Sequence, residues 1–377
     1  IEDKAAGTLR PIDYKHLGPE ELGGVYESLL ELHPEVNIDA RYFRLETAGG
    51  HDRKTAGSYF TPPALINALL DSALEPVLAQ ARRTRNSEAA ILNLKVCDPA
   101  CGSGSFLIAA AHRIAYALAQ VRVGGDEPPP SLIRTALRQV IGNCIYGVDI
   151  NPMSVELCKV NLWIEALDPG KPLSFLDHHI KAGNSLLGTT PALMAQGIPD
   201  DAFVALEGND KEATGTARKQ NRQERKDFEK GQRSLFELIE PPQHAVLTSA
   251  VQQVDEIDDS RITGIRAKEA RWRELANDPE YINARLLADA WCAAFVWERK
   301  AGMSVPPMTQ LTYQRLCANP AATEFEGLRT AVVALREQYG FFHWHIEFPK
   351  VFSVPERPDD AENTQMGWNG GFDCVLG

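Results

Sequence analysis

Residues 96–106 of the chain are Val-Cys-Asp-Pro-Ala-Cys-Gly-Ser-Gly-Ser-Phe. The segment that leads into them, Ile91 to Cys97, is mostly apolar and predicts a short buried strand. The segment that follows, Phe106 to Val121, is rich in alanine and free of Gly and Pro, which predicts a helix. A strand, a glycine-rich turn and a helix form the ligand cradle of doubly wound α/β sheets. The sequence therefore predicts an α/β fold with a binding site at this turn.

The turn also indicates the kind of ligand. Gly102 and Gly104 allow the backbone to approach a ligand closely, and the start of the helix offers free N–H groups at its positive end. Asp98 falls at the predicted carboxyl end of the strand, the edge where such sheets bind ligands. A carboxylate there repels a pyrophosphate and suits a cationic or hydroxyl-bearing ligand, and the Lys-Ser/Thr pair of a P-loop is absent.

The segment from Asp98 to Phe106 resembles the S-adenosylmethionine (SAM) loop of amino-methylating DNA methyltransferases, Asp-Pro-x-Cys/Ala-Gly-Ser-Gly-x-Phe. An ordinary strand-to-helix turn is the alternative, but such a turn does not need the Asp-Pro pair together with both glycines. The resemblance implies a Rossmann-like, doubly wound methyltransferase sheet. It also implies that SAM contacts Asp98, Pro99, Ala100, Gly102 and Ser105.

A second motif, residues 57–63, is Gly-Ser-Tyr-Phe-Thr-Pro-Pro. Considered alone it predicts a helix start, with Thr61 as N-cap, Pro62 in the first turn and a helix to about Gln80 that is kinked at Pro76. About 40 residues before the glycine-rich turn, it resembles the Gly-Ser-Tyr-Tyr/Phe-Thr-Pro lid of the same methyltransferases. The resemblance implies that the methionine end of SAM is covered by Tyr59, Phe60 and Thr61. This order of motifs is similar to that of the gamma class.

A second predicted strand ends at Asp149, before a helix that starts at Asn151-Pro152. An acidic residue at this point can bind both hydroxyls of a ribose. A solvated strand-end carboxylate is the alternative. The resemblance extends over Gly147 to Pro152 and implies that Ile150 lies against the adenine of SAM.

The third predicted strand ends near Gly183-Asn184-Ser185. The similar enzymes have Gly-Asp-Ser/Thr-Leu here, and the Asp accepts a hydrogen bond from the adenine amino group. The amide oxygen of Asn184 can accept the same bond without the negative charge. The resemblance thus implies cofactor contacts for Asn184 and Ser185, with ordinary strand-to-loop polarity as the alternative.

The motifs divide the chain into four parts. We expect a helical N-terminal element at 1–55, a SAM-binding methyltransferase core at 56–188, a mostly helical insertion at 189–340 and a return to the core at 341–377. In the insertion, Arg218 to Arg233 contains seven basic and three acidic residues, which predicts a solvated helix or mobile arm, with phosphate contact as the alternative. Trp291 and Trp297 are predicted to be core residues.

The composition is typical of a globular protein, with 377 residues, 44% apolar and 24% charged. It has no run of about 18 apolar residues, so we expect no membrane partner. Seven cysteines without a Cys-x-x-Cys pair favour reduced thiols in the cytoplasm. A net charge of −12 argues against a broad DNA-binding surface on the chain itself. His343, His345 and Glu347 have no second ligand group with matching spacing, so no metal site is expected.

The last residues, Phe372 to Gly377, predict one more strand. In the similar enzymes this strand leads directly into the catalytic Asn-Pro-Pro-aromatic tetrapeptide. We therefore expect no catalytic residue within the chain and place the catalytic residues just after Gly377. The first residue, Ile1, also suggests a trimmed chain.

Together the motifs resemble gamma-class adenine-N6 DNA methyltransferases of type IIG restriction-modification and of BREX and DISARM phage defence. The resemblance implies methyl transfer from SAM to the N6 amino group of a flipped adenine. It implies double-stranded DNA as partner, bound mainly by regions outside this chain, with defence-system subunits as further candidate partners. A non-catalytic SAM-binding scaffold subunit and a protein or RNA methyltransferase are the alternatives.

Overall fold

The computed structural model describes residues 2–3, 8–9, 32–37, 41–47, 61–228, 244–300, 302–303 and 305–377. The strands in these residues are β1 (Glu2–Asp3), β2 (Thr8–Leu9), β3 (Leu32–Asn37), β4 (Tyr42–Thr47), β5 (Val96–Asp98), β6 (Ile145–Asp149), β7 (Ile180–Ala182), β8 (Phe352–Ser353), β9 (Asn369–Gly370) and β10 (Cys374–Val375).

Helices make up most of the rest of these residues. They are α1 (Pro63–Ala73), α2 (Glu75–Arg82), α3 (Ser87–Leu92), α4 (Ser105–Arg122), α5 (Pro130–Asn143), α6 (Pro152–Glu165), α7 (Pro191–Ala195), α8 (Lys211–Asp227), α9 (His244–Asp255), α10 (Ile262–Ala276), α11 (Pro279–Val296), α12 (Gln310–Ala318), α13 (Glu326–Tyr339) and α14 (Trp344–Glu347).

The fold is mixed α/β and is centred on a four-stranded sheet in the order β10-β5-β6-β7. All three pairings in this sheet are parallel. The expected strands before the glycine-rich turn, before Asp149, before Asn184 and near the end of the sequence are therefore present as neighbours. Because parallel strands run in one direction, their carboxyl ends meet at one edge of the sheet.

Both faces of the sheet are covered. Val96 and Ile145 are fully buried in a core that helices α1 to α6 share, which explains the apolar, alanine-rich sequence of α4. Tyr146 and Val148 point to the other face, where Phe342 and Phe348 of the returning chain pack on them. Burial on both faces is the usual setting of a parallel sheet.

The described residues of 1–55 are in strands apart from Arg41, which corrects the expectation of a helix at these positions. β3 pairs antiparallel with β4, from Leu32 opposite Thr47 to Asn37 opposite Tyr42. Arg41, the residue before β4, has a φ of 51°. Val36 and the aromatic residues of β4 have higher strand propensity than the helical interpretation allowed for. The predicted helix at residues 18–30 lies outside the described residues.

Three predicted boundaries shift. Ile91 belongs to α3, whose N-cap Asn86 accepts a hydrogen bond from the Ala89 N–H, so strand β5 begins only at Val96. The N-cap of α1 is Pro62 without a side-chain bond, so Thr61 is not the cap. The break expected at Pro76 falls at Leu74, because a proline is tolerated in the first turn of the new helix α2.

The described residues of 189–340 include helices α7 to α13, joined by segments that are not α-helical. α11 is buried on almost all sides and forms the centre of this part, with Trp291 and Trp297 in the core as predicted. α8 includes Arg218 and Arg222 on an exposed face, which confirms the solvated helix up to residue 228. The rest of the basic segment lies outside the described residues.

No helix in the described parts of the chain combines the length and apolar character that crossing a bilayer requires.

We predict that truncating a core residue of the sheet destabilises the fold far more than truncating an exposed one. Ile145→Ala should lower the free energy of unfolding by about 2–5 kcal/mol, because Ile145 is fully buried on β6. Ile282→Ala removes the same atoms from a half-exposed position of α11 and should cost less than about 1 kcal/mol. Urea denaturation followed by circular dichroism measures both; equal losses would contradict this packing.

Candidate functional site

A cavity of about 360 Å³ opens at the carboxyl edge of the sheet. Its volume lies in the range of small-molecule sites. Ten of the twelve predicted cofactor residues line it, and these are Thr61, Asp98, Pro99, Ala100, Gly102, Ser105, Asp149, Ile150, Asn184 and Ser185. Tyr59 and Phe60 lie outside the described residues.

The glycine-rich turn has the backbone that its sequence requires. Gly102 and Gly104 have φ angles of 52° and 93°, in the left-handed region where a side chain is strained. A Cβ on Gly104 would also lie 2.8 Å from the sulfur of Cys158. The N-cap of α4 is Gly104, which makes no side-chain cap bond, and the first helical residues, Ser105 and Phe106, line the cavity.

Asp98 ends β5 as a buried carboxyl group with only 1% of its surface exposed. Its Oδ1 accepts a hydrogen bond of 2.9 Å from the N–H of Ala100. Burial raises the pKa of Asp98 to about 7, and the nearby Asp149 contributes to the increase, against the effect of the Ala100 bond. A cationic ligand group would stabilise the ionised form of this carboxyl.

Asp149 connects the glycine-rich turn to the second strand. Its Oδ2 accepts a hydrogen bond of 2.9 Å from Gly102 N, and its Oδ1 accepts one of 2.8 Å from Asn151 N. Each oxygen keeps a further lone pair, so both can still accept from hydroxyl groups. The bond to Gly102 was not foreseen, since it joins residues 47 positions apart.

Asn184, which follows β7, also lines the cavity. Its Oδ1 accepts a bond of 3.1 Å from Leu186 N, which leaves one acceptor site and the two amide N–H groups available. Ile150 is 56% exposed and Leu186 is 90% exposed, so both offer apolar surface to a flat ligand ring. Sequence reasoning did not single out Leu186, although it is apolar and directly follows a predicted strand end.

Other lining residues were also missed, namely Cys101, Ser103, Phe106, Gly183 and Gly377. Phe106 had a signal, because it closes the motif quoted at the start. Gly183 and Gly377 had none beyond following a strand end.

Among the described residues, the fold brings together one group of side chains that could bind a metal. The sequence did not indicate this group. Potential ligand atoms of His178, His179 and Asp255 lie within 4.8 Å of one another. Burial lowers the pKa of both imidazoles. The carboxylate, however, already pairs with the Lys350 ammonium at 2.5 Å and with His178 at 2.9 Å. These contacts make the group an ion-pair cluster, and the Lys350 ammonium in it would repel a metal cation.

The His343, His345 and Glu347 segment is held in a similar way. Oε2 of Glu347 lies 2.8 Å from Nζ of Lys181, and the two side chains are nearly buried. Although burial alone would raise it, Lys181 and Arg285 lower the pKa of Glu347 to about 2. The carboxylate is therefore engaged by cations of the chain itself.

Two family models match the chain. The N-6 DNA Methylase model matches residues 39–192, and the Eco57I restriction-modification methylase model matches residues 143–377. No solved structure matches the chain.

Three curated relatives are similar to it. A protein of Methanocaldococcus jannaschii, named as a type II restriction enzyme and methyltransferase, is 24% identical over 46% of the chain and 17% of its own length. The adenine-specific methyltransferase PglX of Streptomyces coelicolor is 30% identical over 30% of the chain and 8% of its length. The type II restriction enzyme and methyltransferase Eco57I of Escherichia coli is 31% identical over 27% of the chain and 12% of its length.

The chain thus spans less than a fifth of each of these relatives. The Eco57I model, in contrast, extends from the second strand of the sheet through the helical part to the last strand, which is more than half of the chain. The chain therefore belongs to the Eco57I restriction-modification methylase family.

Proposed function

We propose that this chain binds SAM in the cavity at the sheet edge, and that the protein containing it transfers the methyl group to the N6 amino group of adenine in DNA. The observation that carries the proposal is the convergence of Asp98, Asp149 and Asn184 on one cavity beside the glycine-rich turn. The names of the relatives, which include an adenine-specific methyltransferase, support the choice of acceptor. Bound SAM would supply an electrophilic methyl group on a sulfonium.

The chemistry of the cavity fits a cationic nucleoside better than a phosphorylated one. None of the described residues that line the cavity is Lys, Arg or His, whereas two acidic residues, Asp98 and Asp149, line it. A pyrophosphate would meet two carboxyl groups without a counter-charge. This argues against a dinucleotide and for the sulfonium and ammonium of SAM.

We assign the parts of SAM to the residues by their chemistry. The buried carboxyl of Asp98 would hold the cationic methionine end, and Asp149 would accept hydrogen bonds from the ribose hydroxyls. Ile150 would lie against the adenine, whose amino group would donate to Asn184. Thr61 lines the same cavity, which supports a lid formed by Tyr59, Phe60 and Thr61.

The sheet order supports the finer fold assignment, a doubly wound Rossmann-like methyltransferase sheet. β6 and β7 extend it on one side of β5, while β10 pairs on the other side, so the order reverses at β5. Ligands of open α/β sheets bind at such a reversal. We further propose the division into a core at 56–188, a helical insertion at 189–340 and a return to the core at 341–377.

The acceptor would reach the cavity from its open side. A base inside a duplex must be flipped out before its amino group can be methylated, at a cost of a few kcal/mol. Gly377 lines the cavity next to Asp98. We propose that the base-orienting residues of the full protein follow this position, and that regions outside the chain bind most of the DNA, because the chain carries a net charge of −12. SAM and DNA together also favour a cytoplasmic location.

We predict that Asp149→Ala weakens SAM binding at least tenfold, or by about 1.4 kcal/mol, because the ribose loses its acceptors. Isothermal titration calorimetry measures the affinity. Asp126→Ala, in the exposed loop after α4, is the matched control and should bind as the unmodified chain does. Equal affinities of the two variants would contradict the ribose assignment.

We also predict that SAM binds more tightly as the pH rises towards 7. The pKa of Asp98 is raised to about 7 by burial, so the free site is mostly protonated below that pH and must release a proton to meet a cation. Affinity should fall by up to about tenfold per pH unit below 7. Titrations between about pH 5.5 and 7 in buffers of different ionisation enthalpy should show this proton release.

Asp98→Asn cannot release the proton, so its SAM affinity should be lower and independent of pH in this window. The same raised pKa acts on the ligand-free fold. Relative to the unfolded chain, the protonated Asp98 contributes stability to the fold. This contribution is complete below the unfolded pKa near 4 and is lost as the pH rises through about 7. A pH-independent affinity of the unmodified chain would show that SAM does not meet the Asp98 carboxylate.

The methyl acceptor is tested on the complete protein from which the chain comes. With tritiated SAM and unmethylated DNA, we expect label in N6-methyladenine after digestion to nucleosides. Asp149→Ala should lower the rate at least tenfold at low SAM concentration, in line with its weaker binding. Label in protein or RNA in place of DNA would contradict the proposed acceptor.

A further inference from the structure

The segment that carries Asn184 is held by the chain returning from the helical part. We call residues 183–189 the Asn184 loop. The N–H of Asn184 donates to the carbonyl of Gly340 at 2.6 Å, and Nε1 of Trp344 donates to the carbonyl of Ser185 at 3.1 Å. In the opposite direction, Phe342 N donates to the Leu187 carbonyl at 2.8 Å. The Asn184 loop is therefore hydrogen-bonded to the returning segment along its length.

The contact is close as well as extensive. A Cβ on Gly183 would lie 2.6 Å from the Phe342 ring, and a Cβ on Gly188 would lie 2.0 Å from the Phe342 carbonyl oxygen. Glycine therefore allows the Phe342 ring to approach one end of the Asn184 loop and the Phe342 backbone to approach the other end. The loop thus has little freedom to move away from the returning segment.

The last bond of this set ends on a buried histidine. The N–H of Thr189 donates to Nδ1 of His343 at 3.1 Å. Nδ1 therefore carries no proton, and the proton of the neutral ring is on Nε2, which donates to Oδ1 of Asp289 at 3.0 Å. Both His343 and Asp289 are 1% exposed. Asp289 thus fixes the tautomer and the ring orientation that Thr189 needs.

Asp289 belongs to α11, the central helix of the helical part, and its other oxygen lies 3.6 Å from Arg336 of α13. Neither His343 nor Asp289 lines the cavity. Their arrangement connects the core of the helical part to the Asn184 loop, while neither side chain lines the cavity itself.

We propose that Asp289 and His343 are a positioning pair through which the helical insertion holds the Asn184 loop in place for the adenine end of the cofactor. The proposal rests on the proposed SAM binding and deepens it, since it gives the insertion a role in the affinity for SAM.

The first experiment needs no ligand, so it is independent of the proposed function. Hydrogen–deuterium exchange of the Asn184 loop should become at least about tenfold faster in His343→Leu, because Thr189 N–H loses its acceptor. Exchange within α4 should not change. His112→Leu is the matched control, since it removes a half-exposed His–carboxylate pair with Glu165 away from the loop.

The second experiment measures SAM affinity by calorimetry. His343→Leu and Asp289→Leu should each weaken binding about tenfold or more, because a buried donor is left unpaired. Asp289→Asn keeps an oxygen that can accept from Nε2 and should stay within about threefold of the unmodified chain. A purely structural role for Asp289 would make the Asn variant no better than the Leu variant.

A double variant tests whether the pair acts through the loop. The losses of SAM affinity in Asn184→Ala and His343→Leu should not add in the double variant, because both act on the same contact. Additive losses, or unchanged loop exchange in His343→Leu, would overturn the proposal. Exchange within α4 reveals whether His343→Leu folds. If it does not fold, the SAM affinities of Asp289→Asn and Asp289→Ala are compared, and an Asn variant that binds no better than the Ala variant would overturn the proposal. An unmodified chain that fails to bind SAM would contradict the proposed function, whereas the exchange experiment would still decide whether the pair holds the loop.

Discussion

The parallel pairing of β5 with β6 is the constraint on which the site depends. It sets Asp98 opposite Gly147 and lets the strand ends reach the sheet edge together. The carboxylate of Asp149, at the end of β6, then accepts a hydrogen bond from Gly102 N. This bond holds the glycine-rich turn that follows β5. Two carboxyl groups are thereby held near one cavity, where burial of Asp98 opposes its ionisation. The charge balance of the cavity follows directly from the sheet register.

Much of this could be predicted from the sequence, because the signals are local. The glycine pair, the strand-end Asp149 and the Asn151-Pro152 helix start each lie within a few residues of the feature they specify. The N-cap at Thr61 was less accurate, since one residue of difference in a cap changes little in local sequence. The strand start at Ile91 was wrong because the apolar residues 91 and 92 belong to the end of a helix, and a short apolar run does not distinguish helix from strand.

The contacts that could not be predicted join distant residues. The bonds of the Asn184 loop to residues 340–344, and the pairing of His343 with Asp289, depend on how α11 packs against the returning chain. The His343, His345 and Glu347 pattern was considered only as a metal site and rejected, which gave no indication that His343 pairs with Asp289. The described strands at the N-terminus were missed because short strands give little periodic signal.

The place of β10 in the sheet has a consequence for biosynthesis. Lys95 N donates to the Asp373 carboxylate at 2.7 Å across 278 positions of sequence, directly beside the first strand of the sheet. A ribosome must therefore release nearly the whole chain before the sheet can close, and contacts of such high sequence separation form slowly. Until then one edge of β5 has no partner strand, and an open edge of this kind favours association with other chains. The helical part between the two strands can fold during this interval, because its own contacts are shorter in sequence.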